Sequence, residues 1–299
     1  MRVFVTGASG FIGSAVIAEL RDAGHCVVGL ARSQGAAAKV EGAGAEVHRG
    51  SLDDLASLRA GAAAADGVIH LAFDHDFSSS REAAAQADTR AIEAMGDVYA
   101  GSNRPLVIAS GLLAIAPGRV ATEADAAPPG WGRGASEEAV RALAARGVRS
   151  AAVRLPPTVH GRGDYGFVSL LIDAARRHGH AAYVGDGANR WPAVHRLDAA
   201  RLFRLALEHA VAGSILHAVG DAGIAVRYIA AAIGRRLGVG VVAKTPAEAS
   251  GYFGFLAPLI ALDAPASDAQ TRELLRWHPT QPGLLADLDG DAYFAAGRP

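Results

Sequence analysis

Residues 6–13 read Thr6-Gly7-Ala8-Ser9-Gly10-Phe11-Ile12-Gly13, with a strand-like run before them and a helix-like run after them. That spacing suits the binding of a pyrophosphate. Gly7 permits the tight turn out of the strand. Gly10 has no Cβ, so a phosphate can approach the backbone. Gly13 lets the helix pack close to the strand. The helix start then offers N–H groups and a partial positive charge to the anion. Thr6, Gly7, Ser9, Gly10, Phe11, Ile12 and Gly13 are therefore expected to hold a dinucleotide. Its adenosine end falls at residues 29–33, Gly29-Leu30-Ala31-Arg32-Ser33. An acidic residue there would accept the ribose 2′-hydroxyl of NAD, and none is present. Arg32 can instead meet a 2′-phosphate with a bidentate, charge-assisted contact, helped by the Ser33 hydroxyl. Contacts of that kind are worth about 1.5–3 kcal/mol each, so the expected cofactor is NADP(H).

The elements that must position these residues alternate. Strands are expected at 2–5, 26–31, 45–48, 67–71, 105–109 and 149–154, and helices at 14–23, 53–60, 80–100 and 135–146. Residues 111–134 read as a long, Pro- and Gly-rich loop, of a length that is often functional or mobile. The alternation predicts an α/β, Rossmann-type doubly wound parallel sheet. After Pro156-Pro157 the texture changes, with helices expected at 168–178, 198–210, 224–237 and 266–275. Residues 1–156, with some later segments returning, are the expected NADP-binding domain. Residues 157–299 form a smaller C-terminal α/β lobe, mainly for substrate. Ligands of such sheets sit outside the carboxyl ends of the strands. That rule puts Ser51 and Leu52 near the adenine, and Leu71, Ala72 and Phe73 along the cofactor toward its reactive end.

Composition narrows the partners. The 299 residues carry a formal net charge of -1, which gives no support to nucleic-acid or membrane-surface binding. The one cysteine, Cys26, excludes an internal disulfide and points to a reducing, cytoplasmic setting. At the start of the second strand it reads as a buried small hydrophobe. No leader is expected before a strand that starts at residue 2. The apolar stretch 253–262 contains Pro258 and is too short to span a bilayer. His178 and His180 have poor zinc spacing and read as a solvated helix end, and His160, His195 and His217 are scattered, so no metal is expected. Trp191 and Phe167 read as core.

Several further runs fall in order: Val68-Ile69-His70-Leu71-Ala72, Val107-Ile108-Ala109-Ser110-Gly111 and Arg154-Leu155-Pro156-Pro157-Thr158-Val159-His160-Gly161. Tyr183-Val184-Gly185-Asp186-Gly187 and Val194-His195-Arg196-Leu197-Asp198 follow. Together with the phosphate turn they resemble the extended short-chain dehydrogenase/reductases, the NAD(P)-dependent epimerase/dehydratase group, over nearly the whole chain. The resemblance implies cofactor contacts from Leu155, Pro156 and Val159. It also implies a Tyr-x-x-x-Lys pair, an upstream Ser or Thr and an Asn. This sequence departs at each point. Arg133 stands at the Tyr position and Glu137 at the Lys position, while Asp88 takes the Asn position. The only lysines are Lys39 and Lys244, and Gly35 and Gly240 lie four residues before them, so the pair exists nowhere in the chain. Gly111 and Leu112 occupy the place of the catalytic hydroxyl. The chain thus resembles the atypical members that keep the fold and lose the tetrad.

Reduction of a carbonyl needs a donor for the developing oxyanion. Ser110 is the first candidate for contact with substrate or cofactor. Tyr165, in the loop after the sixth strand, is a candidate acid or a rim aromatic. Arg133 can donate hydrogen bonds to the oxygen or pair with Glu137 at i,i+4. Asp74 and His75 follow the fourth strand and are candidates to face the nicotinamide, where His75 either makes a loop contact or relays protons. The leading expectation is an NADPH-dependent oxidoreductase reducing a ketone or aldehyde on a small, mainly apolar substrate. The alternatives are an NADP(H)-binding sensor without turnover and a sugar-nucleotide epimerase or dehydratase. The helices at 80–100 and 135–146 offer surfaces for a homodimer.

Overall fold

The computed structural model describes residues 1–74, 81–128, 133–291 and 293–294. Its first half alternates strictly: β1 (Arg2–Thr6), α1 (Phe11–Asp22), β2 (Cys26–Ala31), α2 (Gln34–Gly42), β3 (Glu46–Arg49), α3 (Leu55–Ala63), β4 (Gly67–His70), α4 (Arg81–Tyr99), β5 (Pro105–Gly111), α5 (Gly134–Ala145) and β6 (Arg149–Leu155). The second half contains β7 (Thr158–His160), α6 (Phe167–His178), β8 (His180–Val184), β9 (Arg190–His195), α7 (Arg196–His209), β10 (Ser214–His217), β11 (Asp221–Ala225), α8 (Val226–Leu237), β12 (Gly240–Lys244), α9 (Pro246–Phe253), α10 (Ala257–Ile260), α11 (Ala269–Leu275) and α12 (Leu284–Asp289).

Seven strands form one sheet in the order β10-β6-β5-β4-β1-β2-β3, with every neighbouring pair parallel. This is the Rossmann-type α/β fold. The strand order reverses between β1 and β4, the switch point beyond whose carboxyl ends sheets of this kind hold their ligands. Thr6 and His70 are register partners at that edge. The strands are apolar on both faces because helices cover both. Along β1 the period of two sends Val3 and Val5 to the cluster holding Ile17 and Phe203, and Phe4 to the cluster holding Ile92 and Val140. A third cluster, around Trp191, Ile229 and Leu284, joins α6, α8 and α12 to β9. Two further sheets, β11-β9-β7 and β12-β8, belong to this second half of the chain. β10 and α7 return to the main sheet and its core. Trp191 is fully buried and meets Phe167 at 5.9 Å between ring centroids.

Four expectations need correction. Residues 34–42 form α2, where the sequence pattern predicts no element; only Ala37 and Val40 of that helix are buried, so its apolar stripe is thin. Helix α1 begins at Phe11, three residues early, because the phosphate turn runs directly into it. Cys26 is exposed: as the first residue of β2 it precedes the buried part of that strand. The stretch after β5 is tied down over its described part. Leu112, Ile115 and Ala121 are buried together, and Ala121 bridges to Ala266. Among the described residues no helix is long and apolar enough to cross a membrane.

Candidate functional site

The phosphate turn leaves β1 at Thr6 and closes with Gly10 N–H donating to Gly7 O at 3.0 Å. Gly7 has φ +66°, and a Cβ there would stand 2.7 Å from Ala72 N. Glycine is required at this position both by conformation and by the close passage of the β4 end. A Cβ at Gly13 would collide with Gly7 O, so Gly13 packs the helix against the turn itself rather than against the strand. Gly10 is the N-cap of α1, with no side-chain cap and no acidic residue in the first turn. An uncapped helix start over a bare glycine fits a pyrophosphate. Ile12, Leu71, Leu155 and Val159 are half-buried against the same core cluster, and Pro156 is buried.

A buried polar chain runs from this turn into the expected reaction centre. The Thr6 hydroxyl accepts from Leu71 N–H and Ala72 N–H, both at 3.2 Å, and lies 2.7 Å from His70 Nδ1. With its lone pairs taken, the hydroxyl donates to Nδ1. That fixes the His70 tautomer with Nε2–H aimed at Asp88 Oδ1, 3.2 Å away. Asp88 Oδ2 accepts from the Ser136 hydroxyl at 2.5 Å. Burial raises the Asp88 carboxyl, but Arg133, His70 and Ser136 outweigh it and hold it below the usual carboxylate range. The nearest Arg133 nitrogen is 3.9 Å from Asp88, and that side chain is 14% exposed. Arg133 also donates to Ala109 O at 2.5 Å and places its guanidinium 4.0 Å from the Phe73 ring centroid. Burial lowers the Arg133 guanidinium, with Asp88 opposing.

A second buried chain starts at Ser110. Its hydroxyl donates to Glu137 Oε1 at 2.7 Å. Arg154 Nε and one of its terminal nitrogens grip the two Glu137 oxygens at 2.8 and 2.7 Å, with both side chains 0% exposed. Another Arg154 nitrogen faces His217 Nε2 at 3.2 Å, and His217 Nδ1 donates to Ser267 O at 2.7 Å. Burial, the largest cause, pulls His217 below its ordinary value. The expected Arg133–Glu137 pair is therefore not formed. Arg133 is the N-cap of α5 and its carbonyl accepts the Glu137 N–H at 3.2 Å, so the backbones are i,i+4 neighbours, but the Arg133 side chain turns to Ala109 O and Phe73 while Glu137 faces inward to Arg154.

The structure thus brings Arg133, Phe73, Ser110 and Asp88 together around the β4 and β5 ends. Tyr165 is not in that group. Its phenol oxygen accepts from Phe11 N–H at 3.3 Å, on the phosphate turn. Asp74 is exposed one residue beyond Phe73, and His75 lies outside the described residues. Just beyond β2 Arg32 is exposed, and the Ser33 hydroxyl caps α2 by accepting from Ala36 N–H at 3.2 Å. Ser51 and Leu52 follow β3, with Leu52 half-buried. Sequence reasoning missed Arg49, which opposes Ala31 across β2 and β3 and donates to the Gln34 side chain at 2.5 Å. It also missed His70, Arg154 and His217 as partners, each of them in a strand of the main sheet. The available signal was a titratable side chain inside an apolar strand, since such groups are buried only when paired. His160 and His195, far apart in sequence, are neighbours at 5.4 Å between ring centroids and share Asp287. Among the described residues no group of three or more His, Cys, Asp or Glu is arranged to hold a metal.

The seven-stranded sheet and its uncapped glycine turn define a dinucleotide-binding α/β protein. The chain belongs to the NAD dependent epimerase/dehydratase family, whose pattern it matches over residues 3–219. It is 48% identical over 296 residues to an uncharacterized protein of Schizosaccharomyces pombe, covering 98% of this chain and 100% of that one. It is 30% identical over 189 residues to a 4-hydroxy-2-methyl-3-oxo-4-farnesyl-3,4-dihydroquinoline-1-oxide ketoreductase of Stigmatella aurantiaca, covering 59% of this chain and 55% of that one. Its fold overlays on UDP-glucose 4-epimerase of Thermotoga maritima with TM-score 0.79 at 20% identity, over 98% of each chain.

Proposed function

We propose that this protein is an NADPH-dependent oxidoreductase that reduces the carbonyl of a ketone or aldehyde on a small, mainly apolar substrate. Residues 1–156, with the returning segments, would carry NADP(H), and residues 157–299 would mainly shape the substrate side. The observation that carries the reading is Arg133, a guanidinium held over Phe73 and against Ala109 O beside Ser110, where the family pattern has its tyrosine. NADPH, when bound, supplies the hydride. Arg133 donates N–H bonds to the carbonyl oxygen as negative charge grows on it. A guanidinium keeps its protons at neutral pH, so the proton that completes the alcohol comes from water. Ser110 gives its own hydrogen to Glu137, which leaves its oxygen to accept a hydrogen bond from substrate. Asp74, exposed in the segment that follows β4, would keep the mouth of the site polar.

Three observations support NADP(H) over NAD(H). No acidic side chain follows β2, Arg32 is exposed there, and the start of α2 adds a favourable dipole for a phosphate. The Stigmatella relative, named as a ketoreductase, supports carbonyl reduction. A second reading, an NADP(H)-binding regulatory protein without turnover, is favoured by the inward bond of Ser110 and the loss of the Lys position to Glu137. NADPH absorbance followed with purified protein and a panel of aldehydes, ketones and imines separates the two. Oxidation with one substrate class supports the reductase. Tight NADPH binding with no oxidation across the panel replaces it with the regulatory reading.

A further inference from the structure

We propose that Tyr165 is a clasp for the cofactor diphosphate. In the free protein its phenol oxygen takes the Phe11 amide. When the dinucleotide binds, a phosphate oxygen takes that amide and the phenol donates its O–H to the phosphate. The inference rests on the dinucleotide reading above and adds a role for a residue of the loop beyond β7.

Four features of the site carry it. Phe11 is the first residue of α1, and its N–H is one of the amides that an anion at an uncapped helix start accepts from. Tyr165 Oη stands 3.3 Å from that nitrogen, in the position of an acceptor oxygen. It also lies over the bare glycine, because a Cβ at Gly10 would be 3.7 Å from it. The second feature is freedom of the ring. The Tyr165 side chain is 69% exposed and touches Phe11 edge-on at 6.1 Å, so it can swing without disturbing the core. The third is a fixed hinge. Asp164 Oδ1 accepts Gly166 N–H at 2.6 Å, Asp164 O accepts the Ser169 hydroxyl at 2.6 Å, and Asp164 Oδ2 accepts the Tyr293 hydroxyl at 2.7 Å. The backbone stays in place while the side chain turns. The fourth is chemistry. A phenol both accepts and donates, so one group serves the free state and the bound state, and phenylalanine serves neither. Arg196, at the start of α7, sets its guanidinium 5.2 Å from the Phe11 ring centroid and adds positive charge at the same turn.

The test is rapid mixing of NADPH with the whole chain, followed by the nicotinamide fluorescence, with dissociation read by displacement. Tyr165→Phe removes the hydroxyl and keeps the ring. Its NADPH dissociation rate is expected to rise about tenfold, the size of one charge-assisted hydrogen bond. Its association rate is expected to stay equal or rise, because the Phe11 amide is no longer occupied. A dissociation rate within twofold of the unaltered chain overturns the clasp. So does a slower association, which would mean that the hydroxyl only shapes the turn. Absence of NADPH binding in the unaltered chain overturns the dinucleotide reading itself, and the clasp with it.

Discussion

Two arginines stand near the carboxyl end of β5, each against a buried carboxylate, and they are held very differently. Arg154 grips Glu137 through two contacts of 2.8 and 2.7 Å, with both side chains 0% exposed. Arg133 faces Asp88 across 3.9 Å and retains 14% exposure at the mouth of the crevice. Asp88 meanwhile takes its hydrogen bonds from His70 and Ser136. The tight pair has no geometric slack to spend on a ligand, so it stabilises the fold. The loose pair leaves a guanidinium over Phe73 and against Ala109 O, and the proposed function has a substrate oxygen compete for it. Glu137 at the Lys position is thus held within the framework, and the proposed function gives Arg133 at the Tyr position its part in the chemistry.

The largest expected effect tests the framework half of this contrast. Glu137→Ala leaves a buried guanidinium without its partner, which costs about 3–5 kcal/mol. Urea unfolding should show that loss directly; a stability within about 1 kcal/mol of the parent would remove Glu137 from the framework. Arg133→Met is expected to do the opposite. Stability should fall by less than in the Glu137 variant, because His70 and Ser136 still hydrogen-bond Asp88, while turnover of the preferred carbonyl substrate falls about 10²–10³-fold, the usual scale for removing one oxyanion donor. Equal losses of stability in the two variants would erase the distinction between the pairs.

The contrast also separates what was legible in the sequence from what was not. The phosphate turn could be read residue by residue because its requirements are local: a positive φ at Gly7, close passages at Gly7 and Gly13, and a helix directly behind. The strands of the main sheet were legible as apolar runs between turns. Helix α2 was not, because nine residues with two buried positions give almost no period. Glu137 was misread for a different reason. The i,i+4 rule describes a helix surface, whereas Arg133 caps α5 and Glu137 meets an arginine that is 17 residues away in β6. His160 and His195 looked scattered, yet β7 and β9 pair in register and bring them side by side. Partners set by strand pairing leave no local trace. The departures from the family pattern were visible from the first reading, but their use became clear only once Arg154 and Asp88 were in place.

A smaller effect is expected at the far end of the crevice. Arg32→Ala should raise the KM for NADPH about 10–100-fold, the worth of one or two charge-assisted contacts, and leave that for NADH within about threefold. Arg49→Ala refines the same assignment, since Arg49 sits beside the start of α2 through Gln34. Equal changes for both cofactors would remove the 2′-phosphate from this end and with it the preference for NADP(H).

The smallest effect uses pH to tell the two networks apart. Burial, helped by Arg154 and opposed mainly by Glu123, holds His217 below its ordinary value of 6.5 in the folded chain. As pH falls through 6.5 the unfolded chain therefore binds the proton first. The stability tied to His217 is complete above that value and declines as pH drops toward the lower folded value, by at most about 1.4 kcal/mol per pH unit. Asp88 is also held low, from an ordinary value of 3.8, so its contribution persists through this range and fades only in stronger acid. Urea unfolding at pH 7.5 and pH 5.5 should show the parent chain losing stability between the two. His217→Gln should flatten that loss, leaving the part due to His195, which burial also lowers. Asp88→Asn should leave the slope between these two pH values unchanged while lowering stability at both. A slope that survives in the His217 variant and vanishes in the Asp88 variant would assign the titrating network to the loose pair, and the division of labour between the two arginines would have to be redrawn.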